Sequence, residues 1–270
     1  MREIRQSGSE GGGNGTTGPP NPYYRGAVRR QMEGSSLAMT ERTFRNDALL
    51  LIAHGSARYP DAGRTVLAHA ATIRAQGHFA EVAVGFLNGS PSAAEALAGL
   101  GARTTHVVPF FMEDGYFTRV AVPKALEGGA NLRFHPAIGT HPGMVGLIET
   151  RIARLLAGRG PADIVLVGHG SAKSPGRRMA LHDHAERLGV RVAFLEEPPF
   201  LAVALADSKA PLLAVLGIFA GEGGHVRDDL PALLAAARER LGEGLLDLGS
   251  IGEEPGMADL ILDRITQAKD

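Results

Sequence analysis

The sequence predicts an α/β protein built from two tandem parallel-sheet domains related by internal duplication. Three observations carry that expectation. Short apolar runs alternate with stretches of helical spacing, the pattern of parallel strands joined by crossover helices. The segment Leu49 to Ser56, Leu-Leu-Leu-Ile-Ala-His-Gly-Ser, returns as Ile164 to Ser171, Ile-Val-Leu-Val-Gly-His-Gly-Ser. Shorter phrases recur in the same order: Gly85-Phe86-Leu87 against Ala193-Phe194-Leu195, and Ile138-Gly139 with Pro142-Gly143-Met144 against Ile251-Gly252 with Pro255-Gly256-Met257.

In chain order, residues 1–47 are rich in Gly, Ser, Pro, Asn and Arg and bury too little apolar surface to offset chain entropy, so a disordered tail is expected. Met32 and Met39 are candidate internal starts, which N-terminal sequencing of the native protein would test. The first domain is expected over 48–158. Its strands are 49–53, 81–87, 106–111 and 132–134, and its helices 61–76, 92–100, 122–126 and 142–157. Gly158-Arg159-Gly160-Pro161 is the natural linker. The second domain, 161–270, repeats the order: strands at 164–167, 191–195, 212–219 and 245–248, helices near 177–188 and at 200–206, 230–241 and 257–267. Each half is expected to bury a core of its own, the two facing one another across a cleft.

Composition narrows the function. A formal net charge of -1 offers no basic excess for nucleic acid or an anionic membrane, so anion binding must be local. There is no Cys, which leaves His, Asp and Glu for metals and points to a reducing, cytoplasmic compartment. No apolar run approaches the ~20 residues of a membrane span, and the N-terminus lacks a secretory apolar core.

In open parallel sheets ligands sit at the carboxyl ends of the strands. In the second half His169 follows the first strand, Glu196 the second, and His225 lies in the loop after the third. Two imidazoles and a carboxylate suit a divalent transition metal such as Co²⁺, Fe²⁺ or Zn²⁺ with positions left open for substrate. Singly, each has an ordinary reading: His169 as a helix cap, Glu196 as a solvated acid, His225 as a loop residue. The first half places His54, Asn88 and Phe117 at the matching positions, keeping one potential ligand and losing two. The metal set is therefore expected in the second half.

The strand ending in His-Gly-Ser, the Phe194-Leu195-Glu196 phrase and the Gly-Gly-His-Val-Arg-Asp-Asp-Leu-Pro of Gly223 to Pro231 resemble the sirohydrochlorin cobalt- and ferrochelatases, the two-domain CbiX type of tetrapyrrole chelatase. The resemblance covers essentially all of 48–270. It implies two flavodoxin-like halves, a sirohydrochlorin-like tetrapyrrole in the cleft, Co²⁺ or Fe²⁺ as the metal substrate, no organic cofactor, and His169, His225 and Glu196 as both the catalytic and metal-binding set. Many two-domain relatives carry the histidine pair in the first half, whereas here Phe117 interrupts it, so the site has moved to the second copy or the chain is a divergent paralogue. Because the substrate carries several carboxylates, Arg119, Lys173, Arg177, Arg178 and Arg227 are candidate partners for them, with His54 and Ser171 completing the expected substrate contacts. His182 and His184, two apart on a helix, are expected at the surface; His141 and Glu254, in matching places, could border the cleft. The runner-up is a non-catalytic tetrapyrrole- or metal-binding paralogue. A two-lobed small-molecule binder is a third reading, and the chain could be a monomer or a homodimer.

Overall fold

In a computed structural model the described residues are 44–171, 179–221, 223 and 225–267. They form two four-stranded, wholly parallel sheets. The first contains β1 (Phe44–Ala53), β2 (Phe79–Phe86), β3 (Thr104–Pro109) and β4 (Leu132–Phe134) in the order β2-β1-β3-β4. The second contains β5 (Asp163–Gly168), β6 (Arg191–Phe194), β7 (Leu213–Gly217) and β8 (Leu245–Ser250) in the order β6-β5-β7-β8. The orders are identical after renumbering, which is the duplication written in hydrogen bonds.

The helices are α1 (Arg64–Gln76), α2 (Ala93–Ala98), α3 (Val122–Ala125), α4 (Met144–Leu155), α5 (Ala180–Leu188), α6 (Leu201–Asp207), α7 (Leu230–Leu241) and α8 (Met257–Thr266). β1 and β5, central in their sheets, are buried on both faces, as uninterrupted apolar runs require. α2 begins with a capping box in which Ser92 and Glu95 satisfy one another's backbone N–H groups.

Two expectations about domain organisation need correction. The tail boundary at 47 falls inside β1, which starts at Phe44 and stacks that ring on Phe79 at 5.1 Å; the rest of the tail lies outside the described residues. Nor do the halves have fully separate cores. One apolar cluster runs through both, from Leu49, Val108 and Ile148 to Leu166, Ala214 and Ile261, and smaller outer cores line the far face of each sheet. The reason is that α1 packs against α8 and α4 against α5, so each half covers the other's inner helices.

Polar contacts across this interface come in matched pairs. His69 Nε2 donates to the Gly252 carbonyl at 2.7 Å, and His184 Nε2 to the Gly139 carbonyl at 2.7 Å. Arg151 donates to the Leu248 carbonyl at 2.7 Å, while its counterpart Arg264 donates to the Ala137 carbonyl and Thr140 Oγ1, both at 3.0 Å. One chain thus builds within itself the self-complementary contact of a two-fold dimer. His184 is therefore not the surface residue expected: it is 4% exposed, because the face of α5 that it occupies meets the first half. His182, on the other face, is half-buried. His141 and Glu254 lie in the same interface instead of along the cleft, His141 with Nε2 3.2 Å from Asp263 and Glu254 held by Arg151 at 2.6 Å and by Arg154.

Candidate functional site

Each central strand ends in a histidine, and the next strand delivers a second side chain beside it. The Glu196 N–H donates to the His169 carbonyl at 3.0 Å, as the Asn88 N–H does to the His54 carbonyl at 2.8 Å. The parallel pairing of β5 with β6 thus continues one residue past the sheet and brings His169 Nδ1 to 3.5 Å from Glu196 Oε2. The glycine after each histidine turns the chain with positive φ, +71° at Gly55 and +78° at Gly170. A Cβ at Gly170 would also lie 2.9 Å from Glu197 Cγ and 3.0 Å from Phe194 Cβ, so both conformation and space demand glycine there.

A cleft of about 860 Å³ opens over these strand ends, lined from the first half by His54, Ser56, Tyr59, Phe111, Tyr116 and Phe117, and from the second by His169, Ser171, Leu181, Glu196 and Phe219, among others. That volume lies near the upper end for small-molecule sites. Burial lowers the His54 pKa below its ordinary value, and the nearby charge of His169 lowers it further. The two histidines line the same cleft from opposite halves.

Of the expected metal set, His169 and Glu196 come together. The backbone of His225 begins a π-turn, His225–Asp229, and the matching turn of the first half is Phe117–Ala121. Both close with the same bond, Arg227 N–H to the Gly223 carbonyl at 3.1 Å and Arg119 N–H to the Gly115 carbonyl at 3.0 Å. The side chain of His225 lies outside what is described. Its counterpart Phe117 packs edge-on against His54, with ring centroids 4.8 Å apart. Among the described residues no three His, Asp or Glu side chains are grouped to hold a metal ion.

The expected carboxylate partners divide. Arg119 opens onto a neighbouring cavity of about 520 Å³, which shares Glu113 and Met179 with the main cleft. Arg227 reaches the first half instead, 4.0 Å from Asp61 and 5.9 Å above the Tyr59 ring. Lys173, Arg177 and Arg178 lie outside the described residues.

Three contributors escaped the sequence reading. Glu197, only 2% exposed, accepts the Ser171 N–H at 3.1 Å and so holds the His-Gly-Ser turn; its place directly after Glu196 was the available signal. Tyr59 donates its hydroxyl to Asp228 at 2.6 Å, tying the His225 turn to the first half. Glu113 accepts the N–H groups of Ala180 and Leu181, at 2.8 and 3.0 Å, and caps α5 from the other half.

The comparisons with known proteins agree with this architecture. The CbiX family model matches the chain twice, over residues 48–155 and 163–268. A probable sirohydrochlorin cobaltochelatase of Halobacterium salinarum is 24% identical over 266 residues, covering 82% of this chain and 91% of that protein. Among solved structures, a CbiX described as the terminal enzyme of sirohaem biosynthesis in denitrifying bacteria is 28% identical, with a TM-score of 0.61 over 84% of this chain and all (100%) of its own. DR2241 from Deinococcus radiodurans, a multi-domain protein with structural similarity to chelatases, gives 26% identity and a TM-score of 0.66 over 81% of this chain; the chain spans 54% of its length. The cobalt complex of SirB from Bacillus subtilis shares the fold, with a TM-score of 0.65 at 17% identity over 82% of this chain and 94% of that one. Two matching repeats that together span most of the described residues settle the affiliation: the chain belongs to the CbiX family, as a tandem duplication of its α/β unit.

Proposed function

We propose that the protein is a sirohydrochlorin chelatase that inserts Co²⁺ or Fe²⁺ into the tetrapyrrole for cobalamin or sirohaem biosynthesis, with the metal-handling residues in the second half. The carrying observation is the His169–Glu196 pair, 3.5 Å apart at the mouth of a two-walled cleft. His225 is the third ligand of this proposal. The duplication supports it, because the residue at the matching position, Phe117, packs directly against the matching histidine, His54.

Insertion removes two pyrrole protons and exchanges water on the ion for macrocycle nitrogens. An imidazole near neutrality can hold a divalent ion weakly and accept a proton. In this proposal His169 and His225 present the ion, Glu196 offsets its charge and passes protons outward, and His54 contacts the substrate from the opposite wall. Enclosure between the two halves excludes water and orients the ring over the ion. Ser171, Arg119 and Arg227 are proposed substrate contacts; Lys173 is another.

A second reading, a tetrapyrrole- or metal-binding protein without turnover, is favoured by one observation: Phe117, packed on His54, stands at the strand ends of the first half where the second half has His225, so that strand-end set keeps one imidazole, His54. Purified protein with sirohydrochlorin and Co²⁺ or Fe²⁺, followed by absorbance against the uncatalysed background, separates the two. Acceleration is expected with at least one ion, and none with either removes the enzyme. His225→Ala and His169→Ala should abolish turnover while His54→Ala weakens it; the reverse order would move the site to the first half.

A further inference from the structure

Phe117 and Tyr116 are large aromatic side chains left 44% and 68% exposed, and both line the cleft rather than the outer surface. Phe117 stands where the second half has an imidazole, so its ring faces the space that a ligand set would otherwise serve. Its orientation is fixed on three sides. It lies edge-on to His54 at 4.8 Å and 71°, near-parallel to Phe111 at 6.0 Å and 15°, and perpendicular to Tyr116 at 5.8 Å and 73°. A ring held in this way loses little further freedom when something flat is laid on it. Aromatic faces prefer offset stacking on other π-systems, a contact that adds to plain apolar burial.

We infer that Tyr116 and Phe117 form a stacking shelf for the conjugated face of the macrocycle. On this division of labour the first half grips the ring and the second half supplies the ion. The inference rests on the chelatase reading and deepens it: with Phe117 at the position that His225 holds in the second half, the first half offers a ring-binding wall in place of a second imidazole. A flat conjugated ligand is the occupant that fits, for two reasons: the shelf sits inside the cleft that it shares with His54, His169 and Glu196, and its Phe117 ring is braced edge-on by His54 at 4.8 Å. A ring lying on the shelf therefore has the ion-handling pair within the same enclosed space.

The test is binding without metal. Uroporphyrin I, a planar and air-stable polycarboxylate porphyrin, is titrated into the full chain and followed by the shift and hypochromism of its Soret band. Phe117→Ala should weaken binding roughly tenfold, the scale of one stacking contact. Phe117→Leu, which keeps apolar bulk but no π-face, should weaken it by an intermediate factor, and Tyr116→Leu serves if the alanine variant does not fold. Wild-type affinity in both Phe117→Leu and Tyr116→Leu overturns the shelf, even if wild type metallates sirohydrochlorin. If wild type and Phe117→Leu differ as expected but wild type does not accelerate metallation, the shelf stands and the enzyme falls. If wild type binds no porphyrin but sediments as a dimer that Phe117→Leu dissociates, the aromatic pair is an interface between copies and the inference is wrong.

Discussion

Glu113 should be worth more to the fold than its half-buried place in a loop suggests. Its two carboxylate oxygens accept the first N–H groups of α5, from Ala180 at 2.8 Å and Leu181 at 3.0 Å, although the carboxylate belongs to the first half and the helix to the second. α5 has 9 residues, shorter than the ~12–15 at which isolated helices become even marginal, and its initial N–H groups have no intrahelical partners. A hydrogen bond to a charged group contributes about 1.5–3 kcal/mol. The two bonds share one carboxylate and are partly wet, so their joint loss in Glu113→Ala should cost about 2–3 kcal/mol. Glu113→Gln keeps one acceptor and loses the charge that suits a helix N-terminus, and should cost about 1 kcal/mol. Urea unfolding followed by far-ultraviolet circular dichroism reads both. With a slope of roughly 2–3 kcal/mol per molar, the alanine midpoint should fall by about 1 M. Since Met179 and Leu181 at the start of α5 line the cleft, porphyrin binding should weaken in parallel. An alanine midpoint within about 0.2 M of wild type, on the same slope, would falsify the cross-half cap.

Other outcomes follow from the same geometry. Burial pushes His135 and His141 down to about 4, from an ordinary value of 6.5. Between those values the unfolded chain binds protons that the folded chain refuses, so stability should decline as pH drops from 6.5 towards 4, by at most about 1.4 kcal/mol per pH unit for each histidine; urea midpoints at pH 7.5, 6 and 5 that do not move would contradict this. Tyr59→Phe, which removes only the hydroxyl bonded to Asp228, should raise hydrogen exchange in the 225–230 turn roughly tenfold, as loss of one charge-assisted bond implies, and an unchanged exchange profile would show that the bond does not hold the turn. Phe117→His should add a second imidazole beside His54, at a ring separation now 4.8 Å, and raise the Co²⁺ stoichiometry from one to two per chain by calorimetry; a stoichiometry that stays at one would mean the first half has lost more than a ligand.

How much of this was readable beforehand depends on the range of each interaction. β4 (Leu132–Phe134) and α7 (Leu230–Leu241) occupy the predicted residues, and the remaining elements differ from expectation by a few positions at their ends. Such elements are written in local apolar period, Gly and Pro. The repeat of His-Gly-Ser located the strand ends, and with them His54 and His169, because a parallel sheet must present its carboxyl ends together. The pairing of His169 with Glu196 was legible for the same reason.

The sequence alone thus determined the two parallel sheets, their duplication and the strand ends at which chemistry is possible. Tertiary structure decided how the two copies meet. His69 finds Gly252 at a separation of 183 residues, Glu113 finds Leu181 at 68, and Arg264 finds Ala137 at 127. His184 looked like a surface residue because a helix's own period says which face a side chain occupies, not what that face will touch. Contacts of this kind are set by the docking of two finished layers, where shape and unpaired carbonyls select the partner, and no local pattern in the chain encodes them.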